Sequence, residues 1–265
     1  MDTNIALEQA KECINKNQCF VMQGGAGSGK TETLKILLEY ISENYPDKKI
    51  ACITHTNLAV DEIKSRVNKD NYNISTIHSF LHSLIKDYKK NIKKIINSLF
   101  IICELSDDVI KHDEYKKTYE KYETKLYNIR GEITEKVVGK RDYDETPKHF
   151  NGILNQKIKE LNKEIQMLID KKDYHEIIYN ETKFDSLRDL TYGHDGLIEI
   201  AYLLFSEHRI LGKIIQDKYD YIFIDEYQDT HPKIVRIFLD LLPIKEKTLI
   251  GLFGDPMQSI YSEGI

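Results

Sequence analysis

The sequence contains no run of the roughly 18–20 uncharged apolar residues that a helix needs to cross a bilayer. Its first residues, MDTNIALEQAKEC, lack a basic region followed by an apolar stretch, so no secretory signal is expected and a cytosolic location is the default. Cysteine is scarce. Cys13, Cys19, Cys52 and Cys103 are irregularly spaced and form no C-x-x-C pair, which argues against a zinc site or redox pair and for reduced, buried thiols. No internal repeat and no low-complexity linker is visible. Basic charge is not in excess either: 38 Lys and Arg stand against 43 Asp and Glu, a net charge of −5. That excludes a surface basic throughout, but not a local groove for nucleic acid, because steering depends on charge distribution rather than its sum. Apolar residues, by contrast, make up 41% of the 265, enough for a real core and too many for a mostly disordered chain. The length fits one large domain or two small ones.

Hydrophobic patterning divides the chain in three. The first third alternates strands and helices. Cys19–Gln23 is a short apolar run ending in glycines, which reads as a buried strand. Lys30–Asn44 carries Leu34, Leu37, Leu38 and Ile41 at i, i+3, i+4, i+7, the stripe of a helix with one buried face, and Pro46 and Asp47 end it. Lys49–Thr54 reads as a second strand and Asn57–Val67 as a helix with Asn57 as its N-cap. Ser75–Phe80 is a third strand or its exit loop. From Leu81 to Glu199 the pattern is helical. Leu81–Ile102 has apolar residues on one side and Lys86, Lys89, Lys90, Lys93 and Lys94 on the other, a face that is either solvated or lines a DNA groove. Leu154, Ile158, Leu161, Ile165 and Leu168 fall at 4-3-4-3 spacing, as in a helical hairpin or short coiled coil. Asp142–Gly152, with Pro147 and Gly152, reads as a loop. Strand–helix alternation then returns with Tyr219–Ile224, the helix Pro232–Leu242 and the strand Thr248–Phe253. The fold class expected is α/β, with residues 1–85 and 201–265 forming one P-loop-type domain around a helical insertion at 86–200.

The strongest chemical signal is Gly24-Gly25-Ala26-Gly27-Ser28-Gly29-Lys30-Thr31, which fits G-x-x-x-x-G-K-[ST] between a strand and a helix. Glycines let the backbone curl so that successive N–H groups point at phosphate oxygens, and the helix N-terminus adds partial positive charge. Lys30 would reach the β- and γ-phosphates of ATP and the Thr31 hydroxyl would ligate Mg²⁺. A second signal is Ile222-Phe223-Ile224-Asp225-Glu226, where an apolar strand delivers two acids to its C-terminal end, the sheet edge at which ligands of open α/β folds sit. Asp225 would hold Mg²⁺ and Glu226 would polarise the attacking water. A third is Phe253-Gly254-Asp255-Pro256-Met257-Gln258-Ser259. It is either a simple Asp-Pro turn or a place from which Gln258 senses the γ-phosphate by hydrogen bonding. Thr54-His55-Thr56-Asn57 and Thr76-Ile77-His78-Ser79-Phe80 each join a strand end to polar groups. They serve either as contacts to a nucleic-acid backbone or as helix caps with a buried histidine.

Five segments now stand in one order. GGAGSGKT, THTNLAVDEIKSR, STIHSF, FIDEYQDT and FGDPMQSIY resemble motifs I, Ia, Ib, II and III of the UvrD/Rep-like superfamily one DNA helicases. The resemblance implies a RecA-like domain with a parallel sheet, interrupted where that family inserts its accessory subdomain 1B. It implies ATP and Mg²⁺ as cofactors and single-stranded DNA as partner. By position, Lys30 and Thr31 resemble the phosphate lysine and the Mg²⁺ hydroxyl, Asp225 the Mg²⁺ aspartate, Glu226 the catalytic base and Gln258 the γ-phosphate sensor. His55, Thr56, Asn57, His78 and Ser79 resemble contacts to single-stranded DNA, Tyr261 resembles an aromatic near the bases, and Gln9 an adenine-reading glutamine. The pattern departs from the family at His55, where Phe is usual, and after Tyr261, where Ser262-Glu263-Gly264-Ile265 replaces an aromatic and an Arg.

Motifs IV to VI, which in that family lie in a second RecA-like domain supplying arginine fingers, are not in this chain. It therefore resembles the N-terminal ATPase half of a DNA helicase, completed by a second RecA-like domain on the same or another polypeptide. The alternative is a non-motor P-loop switch that binds ATP and DNA within a multi-protein nuclease or defence complex.

Overall fold

The computed structural model describes residues 3–25, 27–67, 69–131, 139–182, 184–242 and 248–255. In chain order its elements are α1 (Thr3–Asn15), β1 (Phe20–Gln23), α2 (Lys30–Asn44), β2 (Ile50–Thr54), α3 (Asn57–Arg66), β3 (Tyr72–Thr76), α4 (Ile77–Ile85), α5 (Lys89–Ile95), α6 (His112–Arg130), α7 (Lys140–Glu145), α8 (Pro147–Lys171), β4 (Ile178–Tyr179), β5 (Thr191–Tyr192), α9 (His194–Glu207), α10 (Ile210–Lys218), β6 (Tyr221–Asp225), α11 (Pro232–Leu239) and β7 (Leu249–Gly254). The chain divides into two compact units, one built from residues 1–87 and 197–265, the other from 88–196.

In the first unit the described strands form one parallel sheet of five, in the order β1-β7-β6-β2-β3. Strands β2, β6 and β7 are buried along their whole length, because IACIT, YIFID and LIGLFG offer apolar groups to both faces. One face packs on α1, α2 and α3 through Leu34, Leu37, Leu38 and Ile41 against Cys52, Phe223 and Phe253. The alternate residues Ala51, Ile53, Ile222, Ile224, Ile250 and Leu252 are buried too. Beyond the strands, Phe80 of α4 stacks on Tyr219 and on Phe238 of α11 at ring distances of 5.7 and 6.0 Å. Strand β1 departs from the expectation of a buried strand. It is the edge of the sheet, its residues alternate between half-buried and exposed, and Val21 faces outward. Periodicity over four residues does not distinguish an edge from a centre.

Three other expectations are corrected. STIHSF is neither a whole strand nor an exit loop: Ser75 and Thr76 end β3, and α4 begins at Ile77, capped by the Thr76 side chain, which accepts a hydrogen bond from the Ser79 N–H. The cap of α3 is Thr56, not Asn57, through the Ala59 N–H at 3.2 Å. Of the cysteines, Cys52 alone is buried; Cys19 and Cys103 are exposed, and all four are free thiols.

Among the described residues, the regular elements of the second unit are helices and the two-residue ladder of β4 with β5, too short to leave a sequence period. Residues 142–152 are not a loop. Helix α7 ends at Glu145, and Pro147 opens α8, where its missing N–H costs nothing. The span Leu81–Ile102 is broken into α4, α5 and a 3-10 turn over Ile96–Leu99 rather than one helix. Helix α8 packs on α6, setting Leu154, Ile158, Leu161 and Ile165 in the same unit as the buried Tyr115, Tyr119, Tyr122 and Leu126. The stripe then passes to Ile169 and leaves Leu168 37% exposed. A straight helix of 3.6 residues per turn drifts off a 3.5-residue repeat, so the heptad reading fails at its fifth position. Three lysines of the basic face are engaged within the unit. Lys93 Nζ donates to the carbonyls of Asp170 and Lys172 at the end of α8, Lys89 Nζ to the His175 carbonyl, and Lys90 lies over the Tyr174 ring.

Residues 102–109 run alongside α8 and bond to its amide side chains. Asn162 and Asn155 each accept from and donate to the backbone of Ile102 and Leu105, at 2.8–3.0 Å, and Asn151 donates to the Val109 carbonyl. A buried amide or carbonyl left without its partner costs about 1–3 kcal/mol. Asn155→Ala should therefore speed exchange of the Leu105 amide hydrogen by roughly 5- to 150-fold. Unchanged protection by hydrogen-exchange mass spectrometry would mean the pairing carries no stability.

Candidate functional site

All five strands run the same way, so their C-terminal ends form one edge. Along it, in sheet order, come Gly24 after β1, Gly254 and Asp255 at β7, Asp225 and Glu226 at β6, Thr54 to Thr56 at β2, and Thr76 to Ser79 at β3. At about 4.8 Å per strand, β1 and β3 lie roughly 19 Å apart.

The turn after β1 is tied to β7 by the Gly24 N–H donating to the Gly254 carbonyl at 3.1 Å, and Ser28 N donates to the Gly25 carbonyl. Gly29 caps α2 at φ 80°, a left-handed conformation that strains any side chain, and so sets the helix start directly under the loop. Lys30 is 8% exposed, and its Nζ donates to the carbonyls of Gly24 and Gly25 at 2.8 and 3.2 Å. The ammonium thus stands over the mouth of the loop. Ser28 Oγ is buried and, among the described residues, has no hydrogen-bond partner. Ala26 lies outside the described residues.

The decisive contact crosses the sheet. Thr31 Oγ1 donates to Asp225 Oδ2 at 3.0 Å, joining residues 194 apart in sequence. Asp225 Oδ1 accepts from the Glu226 N–H at 3.1 Å. Burial pushes the Asp225 carboxyl up to about 6, against the Thr31 hydroxyl bond that lowers it; the nearby Glu226 charge raises it further. A buried carboxylate beside a hydroxyl, with an unpartnered buried hydroxyl in the glycine-rich turn, is the donor chemistry of a hard cation and its phosphates. The residues present fit Mg²⁺ and a polyphosphate.

Glu226 has φ 52°, ψ 48°, a left-handed conformation that a non-glycine residue adopts at a cost of about 1–2 kcal/mol. The conformation turns its carboxylate back to Gln228, whose Nε2 donates to Glu226 Oε2 at 2.7 Å. Gln228 Oε1 in turn accepts from the Asp255 N–H at 2.9 Å. This bridge requires Gly254: a Cβ there would stand 2.2 Å from Gln228 Oε1 and 2.5 Å from the Tyr227 ring. On the other side of β6, the ring of His55 shares a 3.0 Å hydrogen bond between Nε2 and Thr230 Oγ1. Burial holds the His55 imidazole below its ordinary range, with Asp229 and Glu226 opposing. Gln228, Thr230 and Asp255 had no role assigned from the sequence, although the DEYQDT and GDPMQ segments contain them. Their signal is the tertiary pairing and has no sequence spacing.

The remaining candidates are placed as follows. Thr56, Asn57 and Ser79 are exposed and His78 is half-buried, at the ends of the adjacent strands β2 and β3. Gln9 is exposed on α1 and lines a cavity of about 420 Å³ with Phe20, Met22 and Gln23 of β1. Gln258 and Tyr261 lie outside the described residues.

Comparison with known proteins agrees with this geometry. The model of the UvrD/REP helicase N-terminal domain matches residues 4–262. The chain is 31% identical to the Gabija protein GajB of Bacillus cereus over 95% of its length and 42% of that protein. It is 26% identical to DNA helicase II of Rickettsia typhi, covering 96% of this chain and 37% of the relative. It is 27% identical to the ATP-dependent DNA helicase PcrA of Staphylococcus aureus, covering 96% and 33%. The chain thus spans about a third to two fifths of the length of these relatives. With a glycine-rich turn, a buried carboxylate and a parallel sheet arranged as described, it belongs to the UvrD/REP helicase N-terminal domain family.

Proposed function

We propose that this chain is the ATP- and single-stranded-DNA-binding half of a UvrD-like DNA helicase, acting with a second RecA-like domain. The observation that carries the reading is the 3.0 Å approach of Thr31 to Asp225 under the glycine-rich turn. Thr31 Oγ1 and the Asp225 carboxylate would hold Mg²⁺, which, when bound, supplies positive charge to the phosphate oxygens. On nucleotide binding the Lys30 ammonium would exchange two neutral loop carbonyls for charged phosphate oxygens. Glu226, oriented by Gln228, accepts the proton of the attacking water. The adenine would lie towards Gln9, at the edge strand β1. Gln258 would sense the γ-phosphate from the segment after Asp255.

Single-stranded DNA would lie across the ends of β2 and β3, held by Thr56, Asn57, His78 and Ser79 through its phosphates, with His55 and Tyr261 against the bases. From the segment following β6, Gln228 bonds to Asp255 at the end of β7 and Thr230 to His55 at the end of β2, so this segment touches both neighbours of β6. Fluorescence anisotropy with a labelled oligonucleotide tests this. Affinity should be weak, and log K should fall against log salt by about 0.7 per phosphate contacted. An affinity independent of salt would contradict a backbone-tracking surface.

The second reading is a non-motor ATP- and DNA-binding switch in a multi-protein nuclease or defence complex; the relative at 31% identity, Gabija protein GajB, is compatible with it. A switch would bind DNA in an ATP-dependent way without DNA-stimulated phosphate release from the complete protein.

A further inference from the structure

A cavity of about 670 Å³ lies wholly within the 88–196 unit, and no part of the nucleotide chemistry above uses it. Its size falls in the range of small-molecule sites, roughly 300–1,000 Å³. Its floor is apolar, with Phe100, Leu168 and Leu187 among the lining residues. Leu168 is the residue that breaks the buried stripe of α8; it is turned out of the helix pair and into this wall.

The charged lining is unbalanced. Lys125, Lys172 and Arg188 supply three cations, and Asp185 is the one acid among the lining residues. Asp185 is already committed: its Oδ1 accepts the Gly193 N–H at 2.9 Å, directly before the first turn of α9. Lys172 has Glu176 at 3.4 Å. Lys125 and Arg188 have no carboxylate within ion-pair distance among the described residues. Lys125 Nζ instead sits 5.2 Å from the centre of the Phe100 ring. Burial holds the Lys125 ammonium below the ordinary lysine range, with Asp185 opposing only in part. Partly desolvating an ammonium without a paired anion is unfavourable, and a ligand anion would relieve it.

We propose that this cavity binds a small amphiphilic anion, a phosphate or carboxylate carried on an aryl or acyl group. The anion is held by Lys125 and Arg188 and the apolar part lies on Leu168 and Leu187. Phenyl phosphate is a suitable probe, because it carries both parts and lacks a nucleobase. Titration of the whole chain, followed by ¹H–¹⁵N correlation spectra, should shift the Leu187 and Arg188 amides saturably, with Kd near or below about 1 mM for a ligand of this size. Lys125→Met and Arg188→Gln should each weaken binding roughly tenfold or more, the loss expected for a charge-assisted hydrogen bond. Lys30→Ala should leave it unchanged, which separates this site from the glycine-rich turn. Inorganic phosphate and phenol, each carrying one half of the chemistry, should bind at least about tenfold more weakly. Arg188 is exposed, so its variant reports even if Lys125→Met fails to fold. The proposal is overturned by absence of saturable shifts at about 10 mM phenyl phosphate, by equal binding of inorganic phosphate, or by an affinity that Arg188→Gln leaves untouched.

Discussion

Lys30→Ala should abolish Mg·ATP binding. The ammonium is nearly buried and held over the loop mouth by two carbonyls, so it is positioned before any nucleotide arrives. Hydrogen bonds to charged groups contribute about 1.5–3 kcal/mol each, and two such bonds to phosphate oxygens correspond to a rise in Kd of roughly 10²- to 10⁴-fold. The fold should survive, because the turn is still tied to β7 through Gly24 and Gly254, and α2 still starts at Gly29. Isothermal calorimetry on the variant, with circular dichroism as the folding control, measures this. Micromolar binding retained by a folded variant would remove the glycine-rich turn from the nucleotide site.

Glu226→Gln should separate binding from chemistry. Glutamine has the same shape, and its side-chain oxygen can still accept from Gln228 Nε2, so the backbone conformation and the link to Asp255 are kept. Mg·ATP affinity should change by no more than about twofold, since the Thr31–Asp225 pair is untouched. What disappears is the proposed proton acceptor, and general-base catalysis contributes roughly 10²–10⁴ in rate. Under the proposed function, DNA-stimulated phosphate release should fall by that factor. Turnover equal to the wild type would show that another group takes the proton. If the proposed second RecA-like domain supplies an arginine, the starting rate without it should be low, since such an arginine contributes roughly 10³–10⁵ in related phosphoryl-transfer systems.

Helix α2 was legible to the residue, Lys30 to Asn44, because the loop glycines and Pro46 bracket a clear 3.6-residue stripe. Strands β2, β6 and β7 were legible as unbroken apolar runs, since a parallel strand covered on both faces has no polar alternation to obscure it. The insertion was legible as helical, but the boundaries of the helices inside it were not. A proline read as a breaker opens α8, and the lysines of α5 engage the carbonyls that end α8, a use no periodicity encodes. Likewise the asparagines at 151, 155 and 162 read as polar positions on a helix, and their pairing with residues 102–109 depends on a chain segment some fifty residues away.

The sequence by itself determined the candidates for the site, namely the glycine-rich turn, Asp225 at the end of an apolar strand and Glu226 beside it; the parallel sheet that brings them to one edge was implied by the family resemblance. Short-range sterics and hydrophobic patterning act within a few residues, and those local rules were enough. Tertiary structure alone decided the couplings. Thr31, in the first turn of α2, reaches Asp225 because β1, which leads into α2, lies one strand removed from β6 in the sheet, and Glu226 turns to Gln228 with its backbone held left-handed. His55 meets Thr230 because β2 lies beside β6. The Thr31–Asp225 and His55–Thr230 contacts depend on strand order, which arises from packing between distant segments and has no local signature in the chain.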